Sequence, residues 1–280
     1  MLVVRKKELK MLQEIKFDFY KIIKSRTLIF SLIISVLIVT FKVIYEYLLA
    51  KNLGQRVLNG FMSNNTVFIA VTLFAVVFCT KDYSSTYIKN VYTNENKLKY
   101  TLSKMACLFV FVVVILLYAF VLELVFNFVF GGGVIYNDGS YHYIKRDGLY
   151  YVFDNDAEVF TISGFVISTI LRVVGLTAYG MLINLIATLC KSFVTAIITF
   201  AWYSFYGIVY SAISGLVNTI FKLSWPNLFS ASDYLIMWKL ESQISIASSS
   251  NVAVETTIIF LIYLVVATLL SWLALSKKEF

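Results

Sequence analysis

The sequence predicts an all-α integral membrane protein with six transmembrane helices, both termini in the cytoplasm and a small extracellular β meander. Three observations carry that prediction. Hydrophobic residues fill 60% of the 280 positions, and the mean hydropathy is +0.81. They gather into six runs, each long enough to cross about 30 Å of hydrocarbon, which takes roughly 20 apolar residues in a helix. Threading those runs back and forth places 16 of the 24 Lys and Arg on one side, in 1–26, 81–104, at Lys191 and at Lys277–Lys278. Basic residues beside a span resist translocation, so that side is the cytoplasm. The net charge of +8 therefore reads as topology and contact with membrane lipids, not as a nucleic-acid surface.

The whole chain, 1–280, reads as a single transmembrane domain. The first 26 residues are a long basic stretch and no Ala-x-Ala site follows the first apolar run, so that run is expected to be a retained anchor. Within them Leu12, Ile15, Phe19 and Ile22–Ile23 recur at helical spacing between lysines. That pattern predicts an amphipathic helix lying along the inner headgroups. The spans follow at Thr27–Ala50, Phe61–Thr80, Met105–Phe130, Val159–Cys190, Ser192–Phe221 and Val252–Ser276, with Lys191 marking the tightest turn.

Two outer loops have character of their own. The 131–158 loop holds five tyrosines and a net charge of −3. In it, Val134–Tyr136, Tyr141–Ile144 and Leu149–Phe153 alternate with Asn137-Asp138-Gly139-Ser140 and Lys145-Arg146-Asp147-Gly148. Asp-Gly supplies the positive φ of a tight hairpin turn, so a three-stranded meander is expected, either a ligand contact or a connector resting on headgroups. Residues 222–251 contain the chain's one proline, Pro226, and the apolar stretch Tyr234–Trp238, which suits a short interfacial helix or an irregular connector.

Signatures of catalysis are missing. The chain has no Gly-x-x-x-x-Gly-Lys phosphate loop and no His-Glu-x-x-His pair, and its one histidine is His142. Cys79, Cys107 and Cys190 have no metal-ligand spacing and are expected to be small buried side chains. No metal site is expected, and the chain is not read as an enzyme.

Charges inside spans are costly and point to partners. Lys42 and Glu46 stand four apart and can pair, Glu255 opens the last span, and Arg172 is matched with Glu123 as an intramembrane ion pair. In the fifth span Gly207, Ser211 and Gly215 form a small-residue stripe. Trp202, Tyr206 and Tyr210 lie beside it, either as the wall of a substrate path or as helix packing.

The loop after span two begins Lys81-Asp82-Tyr83-Ser84-Ser85-Thr86-Tyr87-Ile88-Lys89-Asn90. It ends Asn94-Glu95-Asn96-Lys97-Leu98-Lys99-Tyr100-Thr101-Leu102-Ser103-Lys104. This segment resembles the permease subunits of ABC-2-type ATP-driven transporters, with Asp82, Ile88, Lys89, Asn90 and Ser103-Lys104 matching their pattern. Thr86 and Tyr87 depart from the glycine and threonine common there. The C-terminal Ser276-Lys277-Lys278-Glu279-Phe280 is similar to the family's basic ending.

The resemblance implies that Asp82, Ile88, Lys89 and Asn90 belong to a coupling helix that docks on a separate ABC ATPase subunit. ATP and Mg would then sit on that partner, with no cofactor in this chain. It also implies a second permease chain, identical or related, in a bacterial plasma membrane. The aromatic spans favour an amphipathic substrate for export, with an antimicrobial peptide as the specific expectation. The alternative is an ATP-independent membrane sensor or immunity protein that binds a ligand at its outer loops.

Overall fold

A computed structural model describes residues 15–52, 64–82, 97–131, 142–146, 149–153, 162–190, 194–202 and 250–277. Its helices are α1 (15–24), α2 (Arg26–Asn52), α3 (Asn64–Lys81), α4 (Lys97–Gly131), α5 (Ile162–Leu189), α6 (194–202) and α7 (Ser250–Lys277). Strands β1 (His142–Arg146) and β2 (Leu149–Phe153) pair antiparallel, with Arg146 opposite Leu149 across Asp147-Gly148. The first strand expected of the meander, and most of the 222–251 loop, lie outside the described residues.

Among the described residues four helices are long and apolar enough to cross a membrane, over Arg26–Tyr45, Lys97–Leu122, Thr169–Leu189 and Val254–Lys277. In hydrocarbon only a helix or a closed barrel satisfies every backbone group, so these β-branched runs fold as helices against their propensity in water. A fifth apolar helix, Val67–Lys81, is shorter. Where both are described, the helix ends fall close to the expected spans, with one informative difference, and most of the expected span Ser192–Phe221 lies outside the described residues. Met105 is not the start of its helix: α4 begins two turns earlier at Lys97, so the last residues expected in the 81–104 loop are helical instead.

The spanning helices are apolar on every side, and small polar residues mark the faces turned inward. In α2, Leu28, Ser31, Ser35, Val39 and Val43 are buried, while Phe30, Ile33, Leu37 and Phe41 are exposed on the other side. Spacings of three and four residues put each set on one face. In α7 the buried stripe is Thr256, Phe260, Ala267, Ser271 and Leu275.

Helix α3 forms the centre, with Phe68, Val71, Phe74, Ala75 and Phe78 all buried. Its Phe74 stacks on Phe111 of α4 with ring centroids 3.8 Å apart. On α5, Gly180 admits Leu108 of α4 so closely that a Cβ there would lie 3.2 Å from Leu108 Cδ1. Single hydroxyl contacts tie the spans at mid-depth. Ser35 donates to the Ala70 carbonyl at 3.0 Å, while Thr40 shares a hydrogen bond with Tyr118 (2.7 Å) and Thr72 with Tyr179 (3.0 Å).

Candidate functional site

Charge gathers at the end of the bundle where α1 lies, α3 stops and α4 starts. Lys97 donates to the Ser276 carbonyl at the end of α7 (3.3 Å), and Lys81 donates to Thr27 at the start of α2 (3.2 Å). Five helices therefore meet at this end, and α1, α4 and the residue that follows α3 contribute to one buried ionic cluster.

Lys104 is its hub. The side chain is fully buried, and its ammonium lies 3.0 Å from Asp18 Oδ1 and 2.7 Å from Asp82 Oδ2. The same ammonium sits 3.9 Å from the centroid of the Phe78 ring and 5.1 Å from that of Tyr100, where the ring faces add attraction. Each carboxylate is engaged through both oxygens. Ser103 donates to Asp18 Oδ2 at 2.6 Å, Tyr100 donates its hydroxyl to Asp82 Oδ2 at 2.8 Å, and Lys21 pairs with Asp82 Oδ1. Two aspartates and two lysines make the cluster formally neutral, which is the condition for burying such groups.

Each member arrives there for a local reason. Asp18 and Lys21 are three apart in α1, hence on one face, and Phe19 and Ile22 pack that helix against the apolar core. Asp82 immediately follows α3, and Tyr100, Ser103 and Lys104 lie on the first two turns of α4. Burial and the neighbouring Lys104 ammonium pull the Lys21 amine down to about 7, with Asp18 opposing.

The stripe expected to lie on headgroups is thus divided. Phe19 and Ile22 face the bundle, whereas Ile23 is exposed together with Phe17 and Tyr20. The reason is Asp18: a carboxylate between two apolar residues finds its partner only by turning that face inward.

Of the residues singled out in the sequence, Asp82 is fully buried in the cluster, whereas Ile88, Lys89 and Asn90 lie outside the described residues. Trp202 is half exposed at the end of α6, and Tyr206 and Tyr210 lie outside. Arg172 is buried in α5; the side chains of Glu123 and Glu46 are not among those described, so neither intramembrane pair is assigned. Cys79 and Cys107 are buried and Cys190 is half-buried, all three as free thiols. Among the described residues no group of His, Cys, Asp and Glu could hold a metal ion.

Sequence reasoning missed Asp18, Lys21, Tyr100 and the hub role of Lys104. One signal was available: Asp18 lies three residues after Ile15 and four before Ile22, beside the apolar stripe, where a solvated charge does not belong. Among the described residues the charged groups of the cluster are engaged with one another, an arrangement suited to a mechanical role. It fastens α1 to both ends of the 83–96 segment. Compared with known proteins, the chain matches no family model and no curated protein.

Proposed function

We propose that the chain is the membrane-spanning permease subunit of an ATP-driven exporter of the ABC-2 type. In this reading it has six spans, both termini in the cytoplasm of a bacterial cell and a tyrosine-rich meander outside. It pairs with a second permease chain and moves an amphipathic substrate, in the specific version an antimicrobial peptide. A separate ATPase subunit binds ATP and Mg and supplies the work.

The observation that carries the reading is the buried cluster around Lys104. A segment that receives a push from a partner transmits it only if its ends are held rigidly to the spans. Asp82 and Lys104 hold the exit of α3 and the entry of α4 together at 2.7 Å, with α1 fastened to both through Asp18 and Lys21. The resemblance of residues 81–104 to the coupling segment of ABC-2 permeases points the same way. In this reading Ile88, Lys89 and Asn90 would touch the ATPase, while Asp82 anchors the base of the loop.

Purification of the tagged chain from its native host in mild detergent tests this. The expected result is recovery of a phosphate-loop ATPase, with ATP hydrolysis weakened by Lys89→Ala at the contact and by Lys104→Met at the anchor. Recovery of the chain alone, without ATP hydrolysis, contradicts the reading and favours the ATP-independent sensor or immunity protein.

A further inference from the structure

The side of α1 turned away from the cluster carries Lys16, Phe17, Tyr20, Ile23 and Lys24, all exposed, with Tyr20 at 58% and Ile23 at 68%. Offsets of three, four and seven residues place them on one broad face. Lys24 holds its ammonium 5.7 Å from the Tyr20 ring centroid, so cation and aromatic ring share one patch. Across the one non-helical residue, Ser25, the exposed side chains continue as Arg26, Ile29, Phe30, Ile33 and Leu37 of the spanning helix α2.

Helix α1 does not run away from the bundle. Lys81 reaches Thr27 at the start of α2 while its neighbour Asp82 pairs with Lys21 of α1, and Lys104 joins Asp82 to Asp18. Residues 18–21 and residue 27 are therefore all held beside the ends of α3 and α4, and i→i−4 backbone bonds of 2.9 Å, Ser25 to Lys21 and Ile29 to Ser25, join α1 to α2. The exposed face of α1 thus lies where the bilayer's polar region meets the ends of the spans.

We propose that this face binds anionic phospholipid headgroups of the cytoplasmic leaflet, with Lys16 and Lys24 contacting the phosphates and Phe17, Tyr20 and Ile23 entering the acyl boundary. The charge is complementary, and exposed rings alternating with lysines are the composition that holds a helix in an interface. Water alone would leave three large apolar side chains on a short helix uncovered. The binding does not depend on coupling to ATP. Because Asp18 and Lys21 occupy the opposite face, a headgroup that holds α1 in place also holds the buried cluster in place, and linkage makes the effect mutual.

The test is native mass spectrometry of the full-length chain, released from detergent containing equimolar phosphatidylglycerol and phosphatidylcholine. The wild-type chain should retain phosphatidylglycerol preferentially, and less so as ionic strength rises. Lys16→Gln with Lys24→Gln should lower that preference roughly tenfold or more, since each basic residue near an anionic surface contributes a several-fold factor. Lys16→Arg with Lys24→Arg should keep it. The melting temperature in phosphatidylcholine alone shows that the variants are folded; if the Gln pair is not, the salt dependence and the Arg pair decide. Equal retention of both lipids by the wild-type chain would overturn the proposal. So would a folded Gln pair with wild-type preference, or displacement of the lipid by an equal concentration of free glycerol phosphate.

Discussion

The basic end of the bundle and its mid-depth layer are held together by different physics. At mid-depth, neutral side chains interlock: Phe74 on Phe111, Leu108 on Gly180, and one hydroxyl contact each between Ser35 and Ala70, Thr40 and Tyr118, Thr72 and Tyr179. These contacts join neutral groups, so losing one leaves no buried charge without its counter-charge. At the basic end, four charged groups depend on one another through Lys104. Removing one leaves another buried without compensation, so the region behaves as a unit. Mid-depth packing can tolerate sliding between helices, whereas the ionic end moves as one body. That contrast suits a bundle driven from its basic end.

The sharpest way to break the comparison is Lys104→Met. It leaves two buried carboxylates with Lys21 as the one cation of the cluster, and removing one partner of a buried pair costs about 3–5 kcal/mol. Thermal unfolding in detergent should register the loss, and adding Asp82→Asn should recover part of it by restoring neutrality with Asp18 and Lys21. Gly180→Val comes next. The new side chain must displace Leu108, a cost of about 1–3 kcal/mol by overpacking, confined to α4 and α5. Thr72→Val should cost about 0.6 kcal/mol and no more than about 2, the range for one hydrogen bond between spans, with Tyr179→Phe equivalent to it and the double variant no worse than either.

A separate prediction concerns pH. Lys21 is pulled down to about 7 in the folded chain from 10.5. Between those values the unfolded chain binds a proton that the folded chain does not. Stability therefore gains from this group as pH rises through that window, and the gain is lost as pH falls towards 7. Lys21→Met should flatten the slope of melting temperature against pH there, while Lys24→Met on the exposed side should leave it unchanged.

Much of the fold was legible in the sequence because hydrocarbon imposes a length and a composition on whatever crosses it. The start of α2 and the end of α5 follow directly from where Arg26 and Lys191 flank apolar runs. The early start of α4 was hidden by Lys97, Lys99 and Lys104, which read as loop charges although Lys104 turns inward. The cluster was hidden for a related reason. Asp18 and Lys104 stand 86 positions apart, and each basic residue already had an explanation in the topology of the membrane. Charge counting treats Lys21 and Lys104 as interchangeable with Lys16 and Lys24. Only packing distinguishes those that hold the bundle from those that face its surroundings.

The most direct test of the account is amide hydrogen exchange on the full-length chain in lipid nanodiscs, comparing wild type with Lys104→Met. If the cluster makes α1 and the adjoining ends of α3 and α4 one body, exchange across 15–24 should accelerate at least about tenfold. That is the scale expected when a buried ion pair worth several kcal/mol is broken. Exchange in α7 should barely change. An unchanged rate across 15–24 would mean that α1 is held without Lys104, and the central claim would fail.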